Sequence, residues 1–188
     1  ISMKDGKEYL SLGVKTEDLN LKAKKLIGQY VLQFGEKSSV KELRKDGFSI
    51  LSASNAIEFS YVRTAEEYRQ VLELRKMAYV GSGKISEDTK AEELGDLYDT
   101  RARILVATYR GEVVGSARLM FHELEDRMEQ EDYCEIPDSF PRKDEIVEVT
   151  RVCTHPDYRG SDLVFFLFKY IALTIIQSGR RWMMGCSV

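Results

Sequence analysis

Two arginines stand where a soluble chain ordinarily places apolar side chains. Arg75 falls on a helix stripe with Tyr68, Val71, Leu72 and Tyr79, and Arg151 on the strand side shared by Val147, Val149 and Cys153. A buried guanidinium is tolerated only when paired and hydrogen-bonded, so each demands an acid. Asp96 and Asp99, three apart in Gly95-Asp96-Leu97-Tyr98-Asp99, are the natural partners, and Glu148 is a further one although it projects to the opposite side from Arg151. A single arginine of this kind can snorkel at a sheet edge. Several together predict a charge network around a cleft. The turn Tyr158-Arg159-Gly160-Ser161-Asp162, which enters an apolar helix, offers N–H groups and a positive dipole end where a phosphate could sit. The same residues also suit an ordinary turn with Ser161 or Asp162 as N-cap.

Other chemistries find little support. There is no P-loop, no GxGxxG and no Ser, His and Asp in a nucleophile motif, and Cys153 has no helix start of its own to activate it. His122 and His155 are the only histidines and have no Cys or carboxylate at ligand spacing, so no metal site is expected. Lys and Arg number 28 against 31 Asp and Glu, a net charge of −3, which gives no broad footprint for nucleic acid or anionic lipid. Three widely spaced cysteines without a CxxC pair, and no signal peptide at the start, point to a reducing, cytoplasmic setting. The longest apolar run, Leu163 to Ile176, is 14 residues with Lys169 inside it; it is too short for a transmembrane span and reads as a buried core helix.

Periodicity gives the elements that must position these residues. At 188 residues the chain predicts one domain plus a short appendage, with no need of a disulfide or metal staple. Residues 1–56 read as an N-terminal helical extension. Its main helix runs from Thr16, as cap, to Phe34, with Ala23, Leu26, Ile27, Tyr30, Val31 and Phe34 as the apolar stripe; a weaker segment, Ser39 to Lys45, opens with a Ser39…Glu42 capping box. Residues 57–188 read as the main domain. Ile57, Phe59 and Tyr61 alternate as a strand, and Thr64 with Glu67 caps a helix to about Tyr79. The stretch from Gly81 to Asp99 is polar and loop-like. Arg103 to Tyr109 and Glu112 to Phe121 form a hairpin through Arg110-Gly111. The acidic residues 122–143 read as a solvated loop or helix face, with a flap over a site as the lesser alternative. Glu145 to Thr154 is a strand, Leu163 to about Gln177 a helix ended by Ser178-Gly179, and Trp182 to Val188 a last strand. Strands and helices mix without strict βαβ repetition, so the expected class is α+β: a mixed sheet between helical layers.

Val147-Glu148-Val149-Thr150-Arg151-Val152-Cys153, followed by His155-Pro156-Asp157-Tyr158-Arg159-Gly160, resembles the fourth strand and acyl-donor loop of the GNAT acyltransferase superfamily. The hairpin from Ile104 to Leu119 is similar to that superfamily's second and third strands. More narrowly, Leu74-Arg75-Lys76…Tyr79, Asp96-Leu97-Tyr98-Asp99, Ser116-Ala117-Arg118 and Glu148-Val149-Thr150-Arg151 resemble a series found in acyl-homoserine-lactone synthases and N-acyl amino acid synthases. That series is arginine, paired acids, arginine and Glu-x-Ser/Thr-Arg.

The resemblance covers about residues 57–188 and implies a mostly antiparallel, twisted sheet. It implies an N-acyltransferase with no permanently bound cofactor. Its co-substrate would be an acyl-phosphopantetheine thioester, on acyl carrier protein or as acyl-CoA, and its acceptor the amine of an amino acid or similar small molecule. Glu148 would take the amine proton, directly or through one water. Backbone N–H groups of Val152, Cys153 and Thr154 would hold the pantetheine and the developing oxyanion, with Arg159, Gly160 and Ser161 at the donor phosphate. Arg75, Asp96, Asp99, Arg118, Thr150 and Arg151 would organise the acceptor.

The chain departs from the pattern in ways that refine these expectations. Asp162 and Val164 stand where most acetyl-CoA enzymes carry glycines. A carboxylate there repels a pyrophosphate, and Val164 blocks close backbone approach. A carrier-protein arm brings only one phosphate, so an acyl carrier protein is the expected partner, docking near Arg159, Lys169, Arg180 and Arg181. The tryptophan that lactone synthases carry six residues beyond the position of Tyr79 is Ile85 here, which favours a plain amino acid or amine over S-adenosylmethionine. The superfamily usually continues past the fifth strand, so part of the acyl pocket is expected to be absent or supplied elsewhere. An acetyl-CoA-dependent acetyltransferase of a small amine, and a non-catalytic acyl or nucleotide sensor, are the rival readings.

Overall fold

The computed structural model describes residues 2–4, 7–9, 19–35, 40–48, 50 and 56–185, the first two segments as backbone. Strands β1 (Ser2–Lys4) and β2 (Lys7–Tyr9) pair antiparallel. Helix α1 (Leu21–Phe34) is capped by Asn20, whose side chain accepts from the Ala23 N–H at 2.9 Å; the expected cap, Thr16, lies outside the described residues. The expected apolar stripe is not the buried one. Gly28 and Leu32 face inward, while Leu26, Tyr30 and Phe34 are exposed. The approach is close: a Cβ on Gly28 would lie 2.4 Å from the Ile50 Cδ1 and 3.1 Å from the Phe48 Cβ, so the glycine lets the helix seat on that segment without displacing the Ile50 side chain. The short α2 (Val40–Lys45) follows, with Val40 and Leu43 buried; its expected cap, Ser39, lies outside the described residues.

Strand β3 (Glu58–Tyr61) leads to α3 (Ala65–Val80), which opens with the expected reciprocal cap between Thr64 and Glu67. Strands β4 (Arg103–Tyr109), β5 (Glu112–Phe121), β6 (Ile146–Thr154) and β7 (Trp182–Met184) complete a sheet of order β3-β4-β5-β6-β7. All neighbours are antiparallel except β6 and β7, which run parallel after the crossover helix α4 (Leu163–Ser178). The hairpin turn places Arg110 at φ 53° and Gly111 at φ 81°, the paired positive values that match the twist of the flanking strands.

The helices cover opposite faces of the sheet. Val71 and Leu74 of α3 meet Ile104, Val106, Val113 and Cys153, whereas Leu167, Ile171 and Ile175 of α4 meet Leu105, Leu119, Val147 and Val149. A third cluster joins Leu32, Val40, Leu43 and Ile50 to Tyr109, Val114, Tyr158 and Leu163, so the N-terminal helices share the core at the hairpin end. The apolar run in α4 is only half buried. Phe165, Phe168, Leu173 and Ile176 form an exposed face, correcting the expectation of a fully buried helix. Among the described residues no helix is long and apolar enough to cross a membrane.

The feature that matters for a site is where β6 loses its neighbour. Strand β7 pairs with it only from Ile146 to Glu148, and β6 runs on to Thr154 with no strand on that side among the described residues.

Candidate functional site

Strand β6 carries a defect at the point where this free edge begins. Arg118 pairs with Thr150 and Ser116 with Cys153, so Arg151 and Val152 together oppose the single residue Ala117, a β-bulge. Arg151 adopts φ 53°, a left-handed conformation that costs a non-glycine residue about 1–2 kcal/mol. The bulge corrects the simple alternation expected for this strand. Val147 and Val149 pack under α4, but Cys153 packs under α3, and the Arg151 side chain reaches the acids on the α3 side.

There the structure assembles a closed charge network. Arg75 grips Asp99 with both Nη atoms, at 2.6 and 2.8 Å, and also donates to the Leu94 carbonyl at 3.0 Å. Arg118 donates through Nε to Thr150 Oγ1 at 2.9 Å and through Nη1 to Asp96 at 2.5 Å and Asp99 at 3.1 Å. Its Nη2 lies 2.6 Å from a Glu129 oxygen, an ion contact too poorly aligned to count as a hydrogen bond. Arg151 donates to the other Asp96 oxygen at 3.0 Å and lies 3.6 Å from Glu129. Asp96, Asp99 and Glu129 each therefore bridge two of the three arginines.

Burial and pairing pull Asp99 in opposite directions. Desolvation acts to raise its pKa, but the Arg75 fork, the Tyr68 hydroxyl and the Arg118 charge outweigh it and hold the carboxyl at about 2. Tyr68 is pushed up to about 12 by burial and by its bond to that carboxylate. Arg75 and Arg118 are sealed at 0% exposure, whereas the Asp96 and Arg151 side chains each keep 27%. Among the described residues, the network's charged side chains are most open to solvent at this pair, its mouth.

Glu148 does not open on that mouth. Its side chain is 0% exposed, and it accepts from the backbone N–H groups of Glu129 at 3.0 Å and Gln130 at 2.8 Å, with His122 Nε2 at 2.8 Å. A carboxylate so engaged anchors the 129–132 turn, and an amine proton would reach it only past these partners or through a water. The acidic stretch is likewise not all solvated: His122, Met128, Glu129 and Gln130 are buried. Glu148→Gln is expected to cost about 1–3 kcal/mol in a urea melt, because an amide nitrogen cannot accept those donors. An unchanged melt with lost turnover would mark Glu148 as the proton acceptor and not merely an anchor.

Val152, Cys153 and Thr154, expected at the donor, lie on the free edge of β6. The Tyr79 hydroxyl sits against Arg151 and Cys153, and burial raises both the phenol and the thiol. The loop after β6 makes one turn at Pro156–Tyr158 and bends through Gly160 at φ 72°, leaving Asp162 at the N-cap position of α4. Ser161 Oγ donates to the Tyr158 carbonyl at 2.7 Å and accepts the Leu163 N–H at 3.3 Å. Arg180, expected to dock a carrier protein, instead donates to the carbonyls of His122, Lys143 and Ile146 and ties β6 to its surroundings. Among the participants, Glu129 was hidden in the charge run, and with Asp96, Asp99 and Glu148 already available as partners no signal in the sequence singled it out.

Comparison with known proteins agrees with this architecture. A family model described as an acetyltransferase (GNAT) domain matches residues 74–169, just over half of the chain. No curated protein matches the sequence. Among solved structures, a GNAT family acetyltransferase from Brucella melitensis in complex with acetyl-CoA superposes with a TM-score of 0.51 at 13% identity, covering 70% of this chain and 76% of that one. A predicted acetyltransferase from Clostridium acetobutylicum with acetyl-CoA gives 0.50 at 12% identity, over 70% and 80% of the two chains. A GNAT family acetyltransferase from Staphylococcus aureus Mu50 gives 0.50 at 11%, over 71% and 74%. These likenesses speak to the fold, and the family model to descent: the chain belongs to the GNAT acetyltransferase-domain family, as an enzyme of the N-acyltransferase type.

Proposed function

We propose that the protein moves an acyl group from a phosphopantetheine thioester to the α-amine of an amino acid or a similar small zwitterion. The observation that carries this reading is the Asp96–Arg151 pair, 3.0 Å apart and each 27% exposed at the mouth of the network. An α-amino acid presents an ammonium and a carboxylate on one carbon, the complement of that pair. Arg151 would take the carboxylate and Asp96 the ammonium. The ammonium first gives one proton to solvent at the mouth; the neutral amine then attacks the thioester carbonyl, a C–N bond forms, the C–S bond breaks, and the second proton shed by the nitrogen goes to the departing thiolate. The free edge of β6 at Val152 to Thr154 would receive the pantetheine amides as an added strand would be received. Arg159, Gly160 and Ser161 would lie at its phosphate.

Asp162 at the N-cap of α4 and Val164 behind it favour a donor with one phosphate, so a fatty acyl chain on acyl carrier protein is the donor we infer. Acetyl-CoA is the second reading, supported by its presence in the Brucella and Clostridium structures of the same fold. The test offers long-chain acyl-carrier protein, long-chain acyl-CoA and acetyl-CoA with amino acids and their decarboxylated amines, following thiol release and product mass. The expected order of donors is that in which they are named. An amino acid should exceed its decarboxylated amine by about 10²–10³, the effect of one charge-assisted pair. Acetyl-CoA as the fastest donor would establish the second reading, and equal use of both acceptors would sink the zwitterion assignment.

A further inference from the structure

Helix α2 lies outside the segment that the family model matches, yet it grips the donor loop. Arg44 donates through Nη1 to the Arg159 carbonyl at 2.5 Å and through Nη2 to the Gly160 carbonyl at 2.9 Å and the Ile50 carbonyl at 2.8 Å. One turn earlier, Lys41 lies 3.2 Å from the Asp157 carboxylate. Two cations of one short helix thus hold both ends of the segment from Asp157 to Gly160. That hold has a directional consequence. In a trans peptide the N–H points away from the preceding C=O, so fixing the Arg159 carbonyl on Arg44 aims the Gly160 N–H away from α2. Gly160 itself sits at φ 72°, a conformation the loop must retain for this orientation. The guanidinium also sets a positive charge directly behind the turn that leads into α4, adding to the field of the helix end.

We infer that Arg44 is a positioning residue for the acyl donor: it presets the 157–160 loop to receive a phosphate, making the N-terminal segment part of the donor site. The inference rests on the reading that this loop receives the donor phosphate, and its test separates the two.

The measurement is calorimetric binding of a long-chain acyl-CoA to the full chain, with melting temperature recorded alongside. Arg44→Gln, which removes three charge-assisted bonds, should weaken binding about tenfold or more. Arg44→Lys, which keeps the charge but cannot span three carbonyls, should recover only part of that loss. Gly160→Ala strains the loop itself and serves as the control. If Gly160→Ala weakens binding while both Arg44 variants bind as wild type, the Arg44 inference is overturned and the loop reading stands. If none of the three affects binding, the loop does not hold the donor and both fall. A lowered melting temperature with unchanged binding would make Arg44 merely structural and would equally overturn the inference.

Discussion

Asp99→Asn is expected to lower the melting temperature by about 10 °C and to flatten the acid limb of the stability curve. Among the described residues Asp99 is the only carboxylate that Arg75 touches, through both Nη atoms at 2.6 and 2.8 Å, and both side chains are essentially buried. An asparagine keeps the shape but leaves a buried guanidinium uncompensated, and breaking such a pair from one side costs about 3–5 kcal/mol. In a domain of this size each kcal/mol moves the midpoint by about 2–4 °C. The pH dependence follows from the same contacts. The folded carboxyl titrates at about 2 against an ordinary 3.8, so its contribution is fully present above about pH 4 and is lost as pH falls through about 2. That difference corresponds to about 2 kcal/mol in the wild type, and the variant has no carboxyl to titrate there. Melts of both proteins between pH 2 and 5 check this. A midpoint within about 3 °C of wild type at neutral pH, or an acid slope identical in the two, would show that the Arg75–Asp99 fork is not what holds α3 to the 91–101 segment.

What was legible in the sequence is what short-range chemistry determines. The Arg110-Gly111 turn, the Thr64–Glu67 cap and the strand limits at Arg103, Tyr109, Glu112 and Phe121 follow from a few adjacent residues, and the structure has them. That Arg75 and Arg151 are met by Asp96 and Asp99 was also legible, because a buried cation must have an anion and few were in reach; which acid meets which arginine was not. Long-range geometry was not. The bulge at Arg151 arises from the register of β5 against β6, and no periodicity within one strand announces it; the expected side of Cys153 was wrong for that reason. Glu129 is held inside by Glu148, which accepts two N–H groups of its turn, and by Arg118 and Arg151 against its carboxylate, so charge density alone misread it as solvated. Helix α1 turned its glycine face inward against Ile50 and left its richer stripe of Leu26, Tyr30 and Phe34 exposed. Arg44 could not be singled out at all, since two of its three carbonyl partners lie more than a hundred residues away.

Arg151→Asn is expected to lower kcat/KM for an amino acid acceptor by about 10²–10³ while leaving the fold nearly as stable as before. The two halves of this expectation have separate causes. Stability is spared because Asp96 and Glu129 each bridge to Arg118 as well, so neither is left alone when Arg151 is removed. Asparagine also accepts the left-handed backbone that the bulge imposes at φ 53°, which keeps the β6 geometry and returns part of the strain an arginine bears there. Activity is not spared, because the lost group is the half-exposed guanidinium assigned to the acceptor carboxylate. A charge-assisted contact of that kind is worth about 3–4 kcal/mol in transition-state binding, the equivalent of the stated loss. The diagnostic comparison uses two acceptors. For the amino acid the loss should be full; for the same amine lacking its carboxylate it should stay within about fivefold, since Asp96 still meets the ammonium. The KM of the thioester donor should be unchanged, as Arg44 and the 157–160 loop are untouched. Equal losses for both acceptors would mean that Arg151 serves the bulge and the donor edge of β6 and not the acceptor carboxylate, and the zwitterion reading of the Asp96–Arg151 mouth would have to be abandoned.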